Sequence, residues 1–156
     1  MQIRKIVSPD AGTVEIITKW MYSWWGEREN YSFDAVKEYI SHSFNESTLP
    51  ITFGLYDEDE LIGMYQITYS DLFVRPDIYP WLANVFIPEK YRNKGLGKLL
   101  IGSVTDNLNV MPFDEIYLYT THEGLYEKYG WEFIGMIRTF LPENDLQRLY
   151  RLKKQH

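Results

Sequence analysis

The sequence contains no cysteine. Disulfides, thiol nucleophiles and cysteine–zinc sites are therefore excluded. Histidine is almost as scarce, with three in all, His42, His122 and His156, far apart in the chain. His122-Glu123 opens like the metalloprotease motif H-E-x-x-H, but position 126 is tyrosine, so no metal site is expected. No apolar run approaches the ~20 residues that a membrane span requires, and no membrane partner is expected. The opening MQIRKIVSPD lacks the apolar centre of a signal peptide, and the expectation is a cytoplasmic protein. Positive charge is also in deficit. A net charge of −6 argues against nucleic acid as a general partner and is compatible with a cationic substrate.

What the chain does have is apolar and aromatic material. Its 156 residues are 45% hydrophobic and 17% aromatic, enough for the core of a single domain spanning 1–156. QIRKIV (2–7) reads as a short strand. Ser8-Pro9 reads as a helix cap followed by proline at the first helical position. Val14, Ile17, Met21 and Trp24 recur at three- and four-residue steps, which predicts an amphipathic helix over 10–24 ended by Gly26. Ser32 caps a second helix with Phe33, Val36, Ile40 and Phe44 on one face. ITFGLYD and ELIGMYQITY flank an acidic turn and predict a β-hairpin. A proline-marked loop, DLFVRPDIYP, precedes the strand WLANVFI (81–87). A helix from about Gly95 to Leu108 follows, with Leu96, Leu99, Leu100 and Val104 inward. EIYLYTT, the short helix EGLYEKY ended by Gly130, and the strands WEFIGMIRTFL and LQRLYRL complete the chain. The order β-α-α-β-β-β-α-β-α-β-β makes a mixed α/β domain. Its antiparallel hairpins exclude a simple doubly wound sheet.

The densest chemical signal is YRNKGLGKLL, residues 91–100. Glycines let a backbone approach a ligand closely, and a helix start presents unpaired N–H groups with the positive end of the macrodipole. Together these make an anion site, most naturally for phosphate. Between Glu89 and Lys98, four basic residues stand against one acidic, in a chain that is negative overall. The nucleotide-triphosphate loop G-x-x-x-x-G-K-[ST] fails, because Leu99 follows Gly97-Lys98 and arginine stands at position 92. The dinucleotide pattern G-x-G-x-x-G fails at Leu100.

Arg92-x-x-Gly95-x-Gly97, after the strand-and-proline VFIP and at the opening of a helix, resembles the acyl-CoA signature [RQ]-x-x-G-x-[GA] of the GNAT superfamily of N-acetyltransferases. LYEKYGW, residues 125–131, resembles that family's L-Y-x-x-x-G-[FW] segment. DLFVRPDIYPWLANVFI is similar to the lead into the central strand in a subset of bacterial members. The element order agrees along nearly the whole chain. The resemblance implies a GNAT-like fold with acetyl-CoA as co-substrate. In that fold Arg92, Asn93, Lys94, Gly95, Leu96, Gly97 and Lys98 would hold the pyrophosphate, and the backbone of Val85, Phe86 and Ile87 would pair with the pantetheine arm. It also implies a small-molecule or peptide amine as acceptor, no metal, and a monomer or homodimer.

An amine with a pKa near ~10.4 must lose a proton to attack. The carbonyl oxygen needs hydrogen-bond donors, and the departing sulfur needs a proton. The resemblance puts Tyr126 at the sulfur. Helical spacing agrees: Leu125 and Tyr129, four apart, make a packing stripe, and Tyr126 lies about 100° round from it. Tyr129 is thereby read as core. Strict alternation along residues 81–87 sets Trp81, Ala83, Val85 and Ile87 opposite Leu82, Asn84 and Phe86. Asn84 is the strand's one polar side chain; it binds acceptor or ordered water, or it satisfies a local bulge. No carboxylate lies in 81–88, so the base is sought among Asp71, Asp77, Glu27 and Glu29, with Asp71 preferred for its place in the loop before the central strand. WWGERENY supplies an acceptor pocket from Trp25, Glu27, Glu29 and Tyr31 through charge and cation–π contact; Trp24 belongs to the helix stripe. A non-catalytic acyl-CoA sensor on the same fold is the alternative.

Overall fold

The computed structural model describes residues 1–155. They form two compact units. The first combines residues 1–67 with 84–96, and the second combines 68–83 with the chain from Gly97 onward.

In the first unit, strand β1 (Gln2–Lys5) leads into helix α1 (Ala11–Met21). The cap is Asp10, whose carboxylate accepts from Thr13 N–H at 2.7 Å, and not Ser8. Ser8 has φ 51° and turns the chain before the helix begins. Ile17 and Met21 are fully buried and pack with Ile6, Val36, Ile40 and Met64. The expected stripe then fails at Trp24, and the reason is geometric. Residues Tyr22–Gly26 form a π-helical turn, with Glu27 N–H donating to Tyr22 O and Tyr31 N–H to Gly26 O, each five residues back. A wider turn shifts the phase of every later side chain. Gly26 is buried there, and a Cβ on it would lie 2.8 Å from Val36 Cγ2. The bare backbone is what lets this turn meet the next helix.

That helix, α2 (Phe33–Ser41), is capped as expected: Ser32 Oγ accepts from Ala35 N–H at 3.0 Å. Val36 and Ile40 are its buried residues. The hairpin of β2 (Ile51–Asp57) and β3 (Glu60–Thr68) is antiparallel, with Ile51 opposite Ile67 and Asp57 opposite Glu60. Glu58 takes the left-handed conformation of the turn, φ 54°, as short hairpin loops require. β1 pairs antiparallel with β2.

The second unit holds helix α3 (Leu96–Asn109) from Gly97 on, with strands β5 (Glu115–Thr120), β6 (Glu132–Arg138) and β7 (Leu146–Lys153). β7 lies antiparallel to both β5 and β6. Leu100, Ile101, Val104 and Leu108 of α3 are buried. Leu99, expected inward, is 46% exposed, because the buried arc runs from Leu96 and Leu100 through Val104 to Leu108 and Ile101, and Leu99 lies outside it, beyond Leu96. Strand β4 (Trp81–Phe86) begins in the second unit and ends in the first; the strand order is β1-β2-β3 within the first and β5-β7-β6 within the second. β4 runs parallel to β5 with the register pair Trp81–Tyr117. The expected helix at EGLYEKY is a single 3₁₀ turn, Tyr126–Tyr129, closed by Gly130 at φ 89°.

Candidate active site

Strand β4 changes character half-way. Trp81, Leu82 and Ala83 are buried, whereas Asn84, Val85 and Phe86 are only partly so. The change falls on Asn84, which has φ 52°. Asparagine tolerates this left-handed conformation better than most residues, and simple alternation does not survive it. The Asn84 amide is engaged within the protein. Its Oδ1 accepts from the Trp25 indole N–H at 3.2 Å, and its Nδ2 donates to Gln66 Oε1 at 2.7 Å and to the Tyr39 hydroxyl at 3.4 Å. These three bonds hold the Asn84 side chain at the point where the strand changes character.

Beyond the break, Val85, Phe86 and Ile87 line a groove of about 320 Å³ with Trp24 and Arg92. The rings of Trp20 and Trp24 pack on Phe86 at 5.5 and 5.6 Å. Trp24 thus falls off the expected helix stripe. Trp24, read as core, is 42% exposed and lines the groove. Trp25, read as pocket, is half-buried with its N–H committed to Asn84. The π-helical turn moves Trp24 off that stripe, and no periodicity of 3.6 could have placed it on the groove. Arg92 Nε donates to Ile87 O at 2.8 Å, and its guanidinium lies 5.7 Å from the Phe86 ring centre. Arg92 thereby braces the loop as well as charging it.

The loop after β4 is built for close approach. Asn93 and Gly95 have φ of 64° and 77°. A Cβ at Gly95 or Gly97 would meet nothing within 4 Å, so the surface over both is open. Leu96 is buried and anchors the start of α3, so only its backbone is available to a ligand. The first-turn N–H groups of α3 have no carbonyl four residues back within the helix. Arg92, Lys94 and Lys98 are exposed around them. Before the loop, the Tyr91 hydroxyl hydrogen-bonds Glu60 of β3.

Tyr126 starts the 3₁₀ turn and is 8% exposed. Its ring sits against Trp131 and Tyr150, each at 5.9 Å between centres. Tyr129, expected to be the core residue, is only half-buried. The expectation assumed α-helical spacing; a 3₁₀ turn has about 3.0 residues per turn, and i,i+4 residues no longer share a face. Among the described residues none hydrogen-bonds the Tyr126 hydroxyl. Desolvation of the ring raises its pKa above the ordinary tyrosine value, so the phenol is neutral at pH 7.

A raised tyrosine pKa favours the protonated form in the folded state. Its contribution to stability is present below the unfolded value of about 10 and is lost as pH rises through the folded value. Chemical denaturation between pH 8 and 11 should therefore show a smaller alkaline loss for Tyr126→Phe than for wild type. Parallel curves would show that the phenol is not desolvated.

The acidic candidates differ in environment. Asp77 makes two 2.9 Å bonds with Arg75; the hydrogen bond from the guanidinium holds its pKa below the usual carboxylate value. Asp71 is half-buried, and its backbone carbonyl accepts from the Tyr119 hydroxyl at 3.3 Å. Glu27 and Glu29 are exposed just after the π-helical turn, with Glu29 3.7 Å from Arg28. The Trp25 and Tyr31 rings meet edge-on at 6.1 Å. Among the described residues no cluster of three metal-ligating side chains occurs, and no helix is long and apolar enough to cross a membrane.

The family profile described as Acetyltransferase (GNAT) domain matches residues 50–133. The chain belongs to the GNAT acetyltransferase family. Solved structures agree on the fold. An aminoglycoside 6'-N-acetyltransferase complexed with coenzyme A superposes with a TM-score of 0.74 at 16% identity, over 98% of this chain and 97% of that one. The aminoglycoside 6'-N-acetyltransferase of Enterococcus faecium gives 0.73 at 14% identity, over 98% and 97%. The spermidine N-acetyltransferase of Vibrio cholerae, in complex with CoA and spermine, gives 0.72 at 18% identity, over 98% and 95%. No curated protein is significantly similar in sequence.

As a GNAT acetyltransferase the protein uses acetyl-CoA, and its own residues fit that group. A phosphate needs backbone donors and room, and the open surface over Gly95 and Gly97 provides both. A flexible amide-bearing arm needs apolar walls, and the groove lined by Val85, Phe86, Ile87 and Trp24 has them.

Proposed function

We propose that this acetyltransferase transfers acetyl directly to a primary amine of a small molecule or peptide, with Tyr126 as the acid that protonates the leaving sulfur. The observation that carries the reading is the Tyr126 phenol, neutral and desolvated, with no partner among the described residues. A donor already committed to the protein could not give its proton to a ligand without breaking a bond; this one can.

Acetyl-CoA supplies an activated acetyl thioester. The first-turn N–H groups of α3, with Arg92, Lys94 and Lys98, hold its pyrophosphate, while Asn93, Gly95 and Gly97 give the loop its open curvature. Val85, Phe86 and Ile87 bind the arm through their backbone, and the Val85 N–H polarises the carbonyl. Asp71 is our choice for the group that takes the amine proton through water. The C–N bond forms as the C–S bond breaks, one proton leaves by way of Asp71, and the Tyr126 proton goes to sulfur. Glu27 and Glu29 attract a cationic acceptor, and the exposed ring of Tyr31 beside Trp25 contributes a cation–π face. The spermidine and aminoglycoside acetyltransferases of the same fold make a polyamine and an aminoglycoside sensible first members of an acceptor panel.

Two measurements test the reading. Acetyl-CoA at 100 times its Kd should stabilise the protein by about 2.7 kcal/mol through mass action, and ATP or NAD at equal concentration should do so far less. Release of free thiol should then depend on an amine from a panel of polyamines, aminoglycosides and peptide amines. Equal stabilisation by ATP would overturn the loop assignment. Thiol release at the same rate with and without every amine would overturn amine transfer.

A further inference from the structure

The buried side chains of Thr52 and Gln66 in the first unit belong to one directed chain of hydrogen bonds, and its direction is set at a backbone carbonyl. Ser43 O can only accept, so the Thr52 hydroxyl donates to it at 2.6 Å. Thr52 Oγ1 is then the acceptor for Gln66 Nε2 at 3.0 Å. Gln66 must therefore turn its Oε1 toward Asn84, where it accepts from Asn84 Nδ2 at 2.7 Å and from the Tyr39 hydroxyl at 3.3 Å. This leaves Asn84 Oδ1 for the Trp25 indole N–H at 3.2 Å. Thr52 and Gln66 are completely buried. Where water cannot substitute, a reversed amide sets like groups face to face and leaves buried donors and acceptors unpaired. Each amide is thus oriented by the one behind it.

The far end of this chain is Asn84, the residue with φ 52° at which β4 departs from regular alternation. A left-handed non-glycine residue inside a strand persists only where its surroundings over-determine it. Here three side-chain bonds do so. The next three residues are the ones that line the groove. Neither Thr52 nor Gln66 lines it.

We propose that Gln66 and Thr52 are positioning residues for acetyl transfer: they fix the Asn84 amide, and through it the turn of β4 that presents Val85, Phe86 and Ile87 to the co-substrate. The inference rests on the groove being the coenzyme site. Its signature is action at a distance along a defined path. Thr52→Val keeps the shape of the side chain but removes its hydroxyl, while Thr52→Ser keeps the hydroxyl.

The test uses the full chain, with coenzyme A as the probe. The Trp25 indole N–H resonance, assigned through Trp25→Phe in ¹⁵N-labelled protein, reports the chain without any ligand. Calorimetry reports coenzyme A binding. Thr52→Val should move the Trp25 resonance, two side chains away, and weaken coenzyme A by about fivefold, the factor that corresponds to one net hydrogen bond. Thr52→Ser should leave both near wild type. A role confined to stability would lower Tm while leaving resonance and affinity unchanged, and that result in folded Thr52→Val overturns the proposal. Should Thr52→Val fail to fold, Asn84→Gly decides. Glycine adopts φ 52° freely but carries no amide, so affinity should fall if the chain positions the turn. Wild-type affinity in Asn84→Gly would overturn the proposal. Failure of wild type to bind coenzyme A would remove the coenzyme reading and the positioning role together, while the Trp25 resonance would still report whether the chain exists.

Discussion

Tyr126→Phe should lower kcat by about a hundredfold while leaving the Michaelis constant for acetyl-CoA nearly unchanged. The substitution keeps the ring that packs on Trp131 and Tyr150 and removes only the hydroxyl. If that hydroxyl protonates the departing sulfur, its contribution exists mainly in the transition state, and the loss falls on kcat. General acids are typically worth ~10²–10⁴-fold, and a thiolate is already a fair leaving group, which sets the expectation at the low end. Tyr129→Phe is the comparison: Tyr129 is half-buried in the same 3₁₀ turn and should be near wild type in rate. Steady-state kinetics on both, with an acceptor from the amine panel, decide the matter. Unchanged turnover in Tyr126→Phe, or a larger loss in Tyr129→Phe, would take the acid role away from Tyr126.

Gly95→Asp should weaken coenzyme A by at least tenfold, or about 1.4 kcal/mol, in a protein that still folds. The position has φ 77° and open space around a virtual Cβ. Aspartate is among the side chains that visit the left-handed region most readily, so the backbone can remain as it is. What changes is the space over the loop, which acquires a carboxylate where a phosphate needs to sit. Gly95→Asn separates the two contributions, since it fills the same volume without charge; its loss should be smaller and less sensitive to salt. Calorimetry that found wild-type affinity in folded Gly95→Asp would remove the loop from the coenzyme site.

Those two positions were legible in the sequence for different reasons. Gly95 follows from elementary backbone chemistry, because a positive φ and close approach both need glycine. Tyr126 is marked by its motif, whereas α-helical spacing misplaces its neighbours: the turn is 3₁₀, and Tyr126, not Tyr129, is the buried ring. The α2 cap at Ser32, the hairpin and the start of α3 followed from caps, turns and periodicity. The groove was harder to read. Trp24 belongs to it only because five residues wind into a π-helical turn, and a 3.6-residue period cannot detect one extra residue in a turn. Asn84 was visible as the single polar side chain of its strand, but its partners lie 18, 45 and 59 residues away. Gln66 carries a signal of its own: a glutamine inside the apolar strand ELIGMYQIT must find buried partners.

The exposure of Trp24 on the groove has an optical consequence. Trp81 and Trp131 are buried at 0% and 3% exposure, whereas Trp24 stands 42% exposed on the groove. An indole in water emits at longer wavelength than one in an apolar interior, and it is open to collisional quenchers such as acrylamide. The red edge of the protein's emission therefore carries a contribution from a ring lining the groove. A molecule that fills the groove should shield this ring, shift that edge toward blue and slow its quenching. Trp24→Phe should abolish the response. The enzyme thus carries an intrinsic fluorophore at its proposed coenzyme site, readable by titration without a label and before any acceptor has been identified.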